Sequence, residues 1–556
     1  MPKSKRKSKQ KKNDKSKSKD TPKLSLKERL AQQRKIKQIR QKLTKTISIC
    51  LAISLLLGLP LAFILDVKVG LGVAVGLPAM VVSYMYPRQA LWFFLMYMPF
   101  SGTVTYWVGG GNALFQLSKD GFYLPALFAL VVACRRKKLP ILIPKQLVPA
   151  LSVLLLLSII TLFSVNLPLQ FNPKEIGQPF VQGILGLKVL IGYVPLIFCA
   201  YYLIKSKQEL LFCTRLHVVL AIVCCVLGLM QYWMLSSGRC AGTGHLSGVD
   251  LFKATLDAKC LVGGSLLYSP AQGVIRLPGT FVSPWHWGWF LIANSALTFA
   301  VAFGDPKFFW RMVGLFGMAI VFVNAVICGQ RIALALVPVV TITLLILTGQ
   351  VTNLKRFVPI AAGLVLVLGI AVINNPDVVN ERIESLKGRW EASPATAFIE
   401  EQFGWSLHQK PGLLGKGVGR ATNSTRAFGR VKLVETFHPK LIYEIGFLGV
   451  TSFIVVCTVL VIICFRKYRT VVEKNLRSLA SSYWVFMMII SYFPYWYPLD
   501  TDPVAVYYWF FAGVLLKLPE IDKQEQERIK LEAAEEEKPR KKSSKKASRR
   551  KQFNPT

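Results

Sequence analysis

The sequence predicts an all-α, polytopic integral membrane protein with about 12–14 transmembrane helices, a long outer (periplasmic) loop and disordered basic termini. Three observations predict it. The 556-residue chain carries a formal charge of +40, yet 53% of it is hydrophobic. Its mean hydropathy is +0.42. Its cations crowd toward the two ends and leave long apolar runs between them. A nucleic-acid-binding domain this basic would not be this apolar. A disordered chain would lack 34 Phe, 18 Tyr and 12 Trp.

The elements follow in order. Residues 1–45 form a basic cytoplasmic tail: 19 Lys/Arg stand against Asp14, Asp20 and Glu28, a composition that supports no core. Within it, 24–42 can form a basic helix on an anionic leaflet. No small-residue cleavage site follows this charged region, so a retained first helix is expected rather than a signal peptide. The N-terminal bundle, 46–235, holds apolar spans at 46–65, 69–86, 89–107, 120–134, 146–165, 184–204 and 214–235. An outer loop covers 236–284. Central helices in 285–374 fall at 285–303, 309–328, 331–348 and 356–374. A long periplasmic loop occupies 375–440. The C-terminal helices, 441–517, lie at 441–465, 479–497 and 503–517, and a charged cytoplasmic tail closes the chain at 518–556. Most spans approach the ~20 residues a bilayer requires; 89–107, 120–134 and 503–517 are shorter or broken by Pro and Gly.

Charge tests the count. With the N-tail inside and the spans alternating, cytoplasmic segments hold 50 Lys/Arg and outer ones 18, with Lys188 inside a span. This obeys the positive-inside rule and places the protein in the inner (plasma) membrane with both termini cytoplasmic. Lys-rich tails can bind nucleic acid, but beside a membrane span they read as topology determinants and lipid anchors, so membrane lipids and no nucleic acid are the expected partners. The long segments 166–183, 236–284 and 375–440 all fall outside. Long connections usually carry function, so the chemistry should face outward.

Nine of the eleven Cys lie in or beside spans as small apolar residues. Cys240 and Cys260 share an outer loop, where an oxidising compartment could join them. No Cys/His metal spacing occurs, and neither metal nor cofactor is expected.

The outer cations are the candidates for chemistry. Arg331 stands between two spans in VICGQRIALALV, where a guanidinium is costly unless it meets water, a carboxylate or a phosphate. An interfacial, snorkelling Arg is the plainer reading. Arg276 precedes a span in VIRLPGTFVSP, and Arg420 follows the Gly-rich GKGVGR. That segment lacks the P-loop pattern and reads as a flexible turn near the membrane surface. His438 opens a span, flanked by Glu435 and Glu444, which could orient it or share a proton with it. A structural histidine near a helix start is the commoner case. Trp285, Trp287 and Trp289 read as an interfacial aromatic belt, with sugar or lipid binding as the other possibility.

Together, R-x-x-G-T-F-x-x-P (Arg276, Gly279, Phe281, Pro284), Gly329-x-Arg331, G-x-G-x-G (Gly415, Gly417, Gly419) and His438 with Glu444-x-Gly446-x-x-Gly449 resemble the O-antigen ligase/O-antigen polymerase superfamily over roughly 270–460. Pro439 and Trp285 stand where that family commonly has Asn. The resemblance implies a metal-independent glycosyltransferase at the periplasmic face, acting in surface polysaccharide biosynthesis. Its donor would be a glycan on a polyprenyl (undecaprenyl) pyrophosphate. Arg276, Arg331 and Arg420 would hold the pyrophosphate; His438, with Arg331, would be catalytic, supported by Glu444 and Glu435. The acceptor would be a second glycan or a lipid, as in a polymerase or a ligase. The rival reading is a polysaccharide or lipid-linked oligosaccharide transporter (flippase), although the chain shows no internal repeat.

Overall fold

A computed structural model describes residues 26–64, 67–111, 117–248, 255–269, 274–350, 394–493 and 498–551, with single positions at 115, 251 and within 362–391. It is a polytopic, largely helical protein. The chain divides into two compact units, Met1–Val82 and Ser83–Thr556.

In the first unit, α1 (Leu26–Ile64) and most of α2 (Val67–Met85) form a helical hairpin. Small residues set their spacing. A Cβ on Gly58 would stand 2.7 Å from the Gly70 carbonyl oxygen, and the Ser54 hydroxyl donates to the Ala74 carbonyl at 3.0 Å. Close backbone approach through small residues is how apolar helices associate where no hydrophobic drive separates helix from lipid.

The second unit begins with α3 (Pro87–Tyr97), which short 3₁₀ and π turns carry to Val108, and α4 (Asp120–Arg136). Then come α5 (Val148–Gln170), α6 (Pro179–Leu203) and α7 (Lys207–Ser236). Ser206 caps α7 by accepting the Glu209 N–H, and Glu209 accepts the Lys205 N–H in return, a reciprocal cap that fixes the helix start. A two-stranded antiparallel hairpin follows, β1 (Leu267–Ser269) and β2 (Val274–Arg276). The remaining helices are α8 (Pro284–Gly304), α9 (Phe308–Ile327), α10 (Arg331–Leu347), α11 (Ala395–His408), α12 (Phe437–Arg469), α13 (Lys474–Tyr492) and α14 (Val504–Lys551).

Among the described residues, eight helices are long and apolar enough to cross a bilayer, and α10 and Val69–Met85 are shorter apolar helices. The expected spans 89–107, 120–134 and 479–497 fall on α3 with its continuation, α4 and α13, which are shorter or more polar. The expected span 356–374 lies outside the described residues apart from single positions. The last helix continues beyond 517 into the charged tail, where Arg528 pairs with Glu525 and Glu532 one turn away on either side. α8 is the core: its apolar surface runs all round, and every position of its most apolar stretch is buried.

Contacts within this unit sort its loops into two ends. At one end Arg88 meets Glu209, Tyr202 donates to the Pro140 carbonyl, Arg215 grips Asp305, and Lys207 meets Glu473 and Glu525. At the other end Thr280 donates to the Pro99 carbonyl, Thr161 to that of Leu414, and Gln178 to that of Phe428. The segments 166–183, 236–284 and 409–440 therefore share one end, the grouping that alternating spans require.

Candidate functional site

The site is built where the β-hairpin meets the α9–α10 turn. Gln231, buried near the end of α7, anchors the 236–284 loop. Its amide donates to the carbonyls of Cys260 and Val262 at 2.9 and 2.8 Å and accepts the Gly279 N–H at 3.1 Å. Cys240 and Cys260 are joined as a disulfide in the same loop. So held, the loop presents β2, whose last residue is Arg276. The Leu277 N–H donates to the Cys328 carbonyl at 3.1 Å. Gly329, at φ +71°, lies so close that a Cβ would stand 1.6 Å from the Ile275 oxygen and 3.4 Å from the Arg276 Cα. Only glycine fits. That contact explains the Gly-x-Arg spacing: Gly329 docks on the strand carrying Arg276, and Arg331 starts α10 two residues on.

Glu435 joins this group. Its backbone N–H donates to the Gln402 side chain at 2.9 Å. Burial pushes its carboxyl above the usual range, and nearby Arg276 pulls it back down. Arg276 also lies 6.0 Å from the Trp285 ring. His438 enters α12 three residues after Glu435, half-buried beside Phe437. A cavity of about 290 Å³ opens beside Arg331, lined also by Leu334, Ala335, Lys387 and Trp390.

Arg420 and Glu444 belong to a second cluster. Arg420 pairs with Glu175 at 3.0 Å. Glu444 accepts the Ala421 N–H at 2.7 Å and the Thr422 hydroxyl at 2.9 Å, so it clasps the loop instead of facing His438. The Gly-rich segment is a fitted strap. α12 breaks at Gly446 (φ 69°), and the loop backbone fills the break: Lys416 donates to the Tyr443 carbonyl, Gly417 to that of Glu444, and Phe447 to that of Gly412. A broken helix is tolerated at membrane depth when its freed groups are satisfied in this way.

A charged lattice lies at the same end, and sequence reading missed it. Lys440 pairs with Asp500 and, at 3.8 Å, with Glu444; Lys119 pairs with Asp502; Lys188 pairs with Asp120 at 2.8 Å. Burial alone would raise the Asp502 pKa, but Lys119 and Lys188 hold it below the usual value. The field of Asp502 also reaches His286, whose ring nitrogen meets the Ser283 hydroxyl at 2.5 Å. The available signals were Lys188, alone inside an apolar run, and the LDTDP segment beside the last span. A charge in such a place needs a partner.

Trp287 and Trp289 are wholly buried, among Phe281, Phe290 and Phe493. They belong to the packed bundle and not to an interfacial belt, because α8 is enclosed by its neighbours.

Among the described residues, no group of three His, Cys, Asp or Glu is arranged to hold a metal ion. A scan against protein-family models finds no match, and a search of the curated proteins finds none.

Proposed function

We propose that the chain is a membrane glycosyltransferase of ligase or polymerase type, drawing its glycan from a polyprenyl pyrophosphate donor at the outer face. One observation supports the reading: Gly329, two residues before Arg331, docks on the backbone of β2 at Ile275 and Arg276, and the Arg276 charge acts on Glu435, three residues before His438. Two guanidiniums suit a pyrophosphate, which is doubly branched and anionic. They would hold it in the ground state and stabilise the charge that builds as it departs. His438 would take the proton of the acceptor hydroxyl as its oxygen attacks the anomeric carbon. The carbon–oxygen bond to the pyrophosphate breaks, and the polyprenyl pyrophosphate leaves. Arg420, neutralised by Glu175, would bind donor only after exchanging that partner. The cation bias supports placing this end in the periplasm and both termini in the cytoplasm of a plasma membrane.

The buried Lys–Asp lattice favours a second reading, a lipid-linked oligosaccharide transporter, because intramembrane charges often line transport paths. One experiment separates the two. Arg331→Ala and His438→Ala are assayed singly in membranes for polymer and for lipid-linked donor. Donor accumulating on the outer face supports transfer; donor accumulating inside supports transport. Normal polymer in both variants removes the proposed site.

A further inference from the structure

The proposed mechanism uses one residue of α10, Arg331, and leaves the face on which it stands unexplained. Burial divides this helix in two. Ile332, Ala333, Leu336 and Val337 are buried in the bundle, whereas Ala335, Val339, Ile342 and Ile346 are exposed. Positions 331, 335, 339, 342 and 346 recur at three- and four-residue steps, so they form one stripe turned away from the bundle. Arg331 heads the stripe, and apolar side chains continue it for about 22 Å at 1.5 Å per residue. An apolar stripe is what any lipid-facing helix shows. A cation and a cavity at its head are not.

The cavity of about 290 Å³ lies at that head. Arg331, Leu334 and Ala335 give it one turn of α10, and Lys387 and Trp390 supply the rest of its lining. Lys387 and Trp390 are exposed helical positions three apart, so they share one face of their segment. Trp390 is 53% exposed, and an indole half in water suits a boundary between apolar and polar surroundings. Two cations, an indole and apolar side chains thus line one open space. They match an amphiphile, with an anionic head for Arg331 and Lys387 and hydrocarbon for Leu334, Ala335 and the stripe beyond.

We propose that this cavity is a lipid-pyrophosphate site, in which Lys387 joins Arg331 as a phosphate-binding residue and the ligand's hydrocarbon leaves along the exposed stripe of α10. The inference rests on the donor reading above and adds to it a residue, Lys387, and the side from which the lipid arrives. Charge favours a pyrophosphate over a bilayer phospholipid. A lipid such as phosphatidylglycerol carries a single phosphate, whereas a lipid pyrophosphate carries two and answers both cations. The lining favours a lipid-borne pyrophosphate over a free one, because a soluble anion gains nothing from Leu334 and Ala335.

The test uses the full-length protein in phosphatidylcholine nanodiscs. The probe is a polyprenyl pyrophosphate, with inorganic pyrophosphate and phosphatidylglycerol as competitors. The wild type should bind the probe, and neither competitor should displace it at equal concentration. Lys387→Gln should weaken binding about tenfold, the worth of one charge-assisted hydrogen bond, and Lys387→Arg should retain it. Ala335→Trp should fill the cavity and weaken binding at least as much. Both positions are exposed, so Tm should not change. Wild-type affinity in either Lys387→Gln or Ala335→Trp overturns this inference alone and leaves the pyrophosphate held elsewhere. A loss of binding that comes with a fall in Tm makes the residue structural and overturns it too. Displacement by phosphatidylglycerol would mean a general phospholipid site, and displacement by inorganic pyrophosphate a soluble-anion site; each also overturns it. A wild type that does not bind the probe overturns the donor reading and this inference with it.

Discussion

Both ends of the second unit hold ion pairs, but in different solvent. At one end the Arg88 and Glu209 side chains are 38% and 32% exposed. At the other Lys440 and Asp500 are 2% and 8% exposed. Water competes for the first pair and screens it; the second is shielded from water, and Lys440 is shared there by Asp500 and Glu444. The Arg88 end also holds shielded pairs: Asp305 is buried and receives two bonds from Arg215 at 2.7 and 2.9 Å, and Lys207 meets Glu473 and Glu525 away from most water. The contrast is sharpest between the Arg88–Glu209 and Lys440–Asp500 pairs.

The largest test of this contrast is Lys440→Met. It leaves Asp500 and Glu444 buried without their shared cation, and breaking a buried pair costs about 3–5 kcal/mol. Thermal unfolding of the purified protein should show it, and adding Asp500→Asn should recover much of the loss. A cost below about 1 kcal/mol would erase the distinction between the ends.

Asp305→Asn should come next. It weakens two charge-assisted bonds from Arg215, at about 2–3 kcal/mol. If the loss matches that of Lys440→Met, local burial matters and the end of the molecule does not.

Glu435 gives a pH-dependent test. Burial holds its folded pKa above the usual carboxyl value, against the pull of Arg276. The folded state therefore binds this proton more tightly than the unfolded chain does. The contribution favours folding below the ordinary carboxyl pKa and is lost as pH rises through the raised one. Glu435→Gln should flatten the stability profile across that window and gain stability at neutral pH. An unchanged profile would place Glu435 in water.

The smallest effect is expected for Arg88→Ala, about 1 kcal/mol or less and shrinking with added salt. Salt-independent loss would mean that its bond to the Leu203 carbonyl, at 3.0 Å, dominates over the ion pair.

Much of the scaffold was legible in the sequence because its causes are local. Apolar runs such as 285–303 and 441–465 must hydrogen-bond their own backbone in lipid, and α8 and α12 lie there. Gly329-x-Arg331 and Arg276 were legible as candidates, and the Cys240–Cys260 bridge as a pair. The lattice was not legible, because Lys119 and Asp502 are 383 residues apart and no periodicity links them. Nor was the role of Glu444, which looks like an orienting acid in sequence and clasps the Ala421–Thr422 backbone in space.

The sequence by itself determined most of the apolar helices, because hydropathy acts on each segment separately; it did not mark α11, inside the expected long loop, or the continuation of α14 into the charged tail. Tertiary structure alone decided who pairs with whom. It set the Gly329 turn against the strand that carries Arg276, gave Arg420 to Glu175, and buried Trp287, Trp289 and Gln330 inside the bundle. The physical reason is that desolvation is a property of the packed assembly. A charge or an amide has no fixed worth until its neighbours have excluded water and either supplied a partner or failed to.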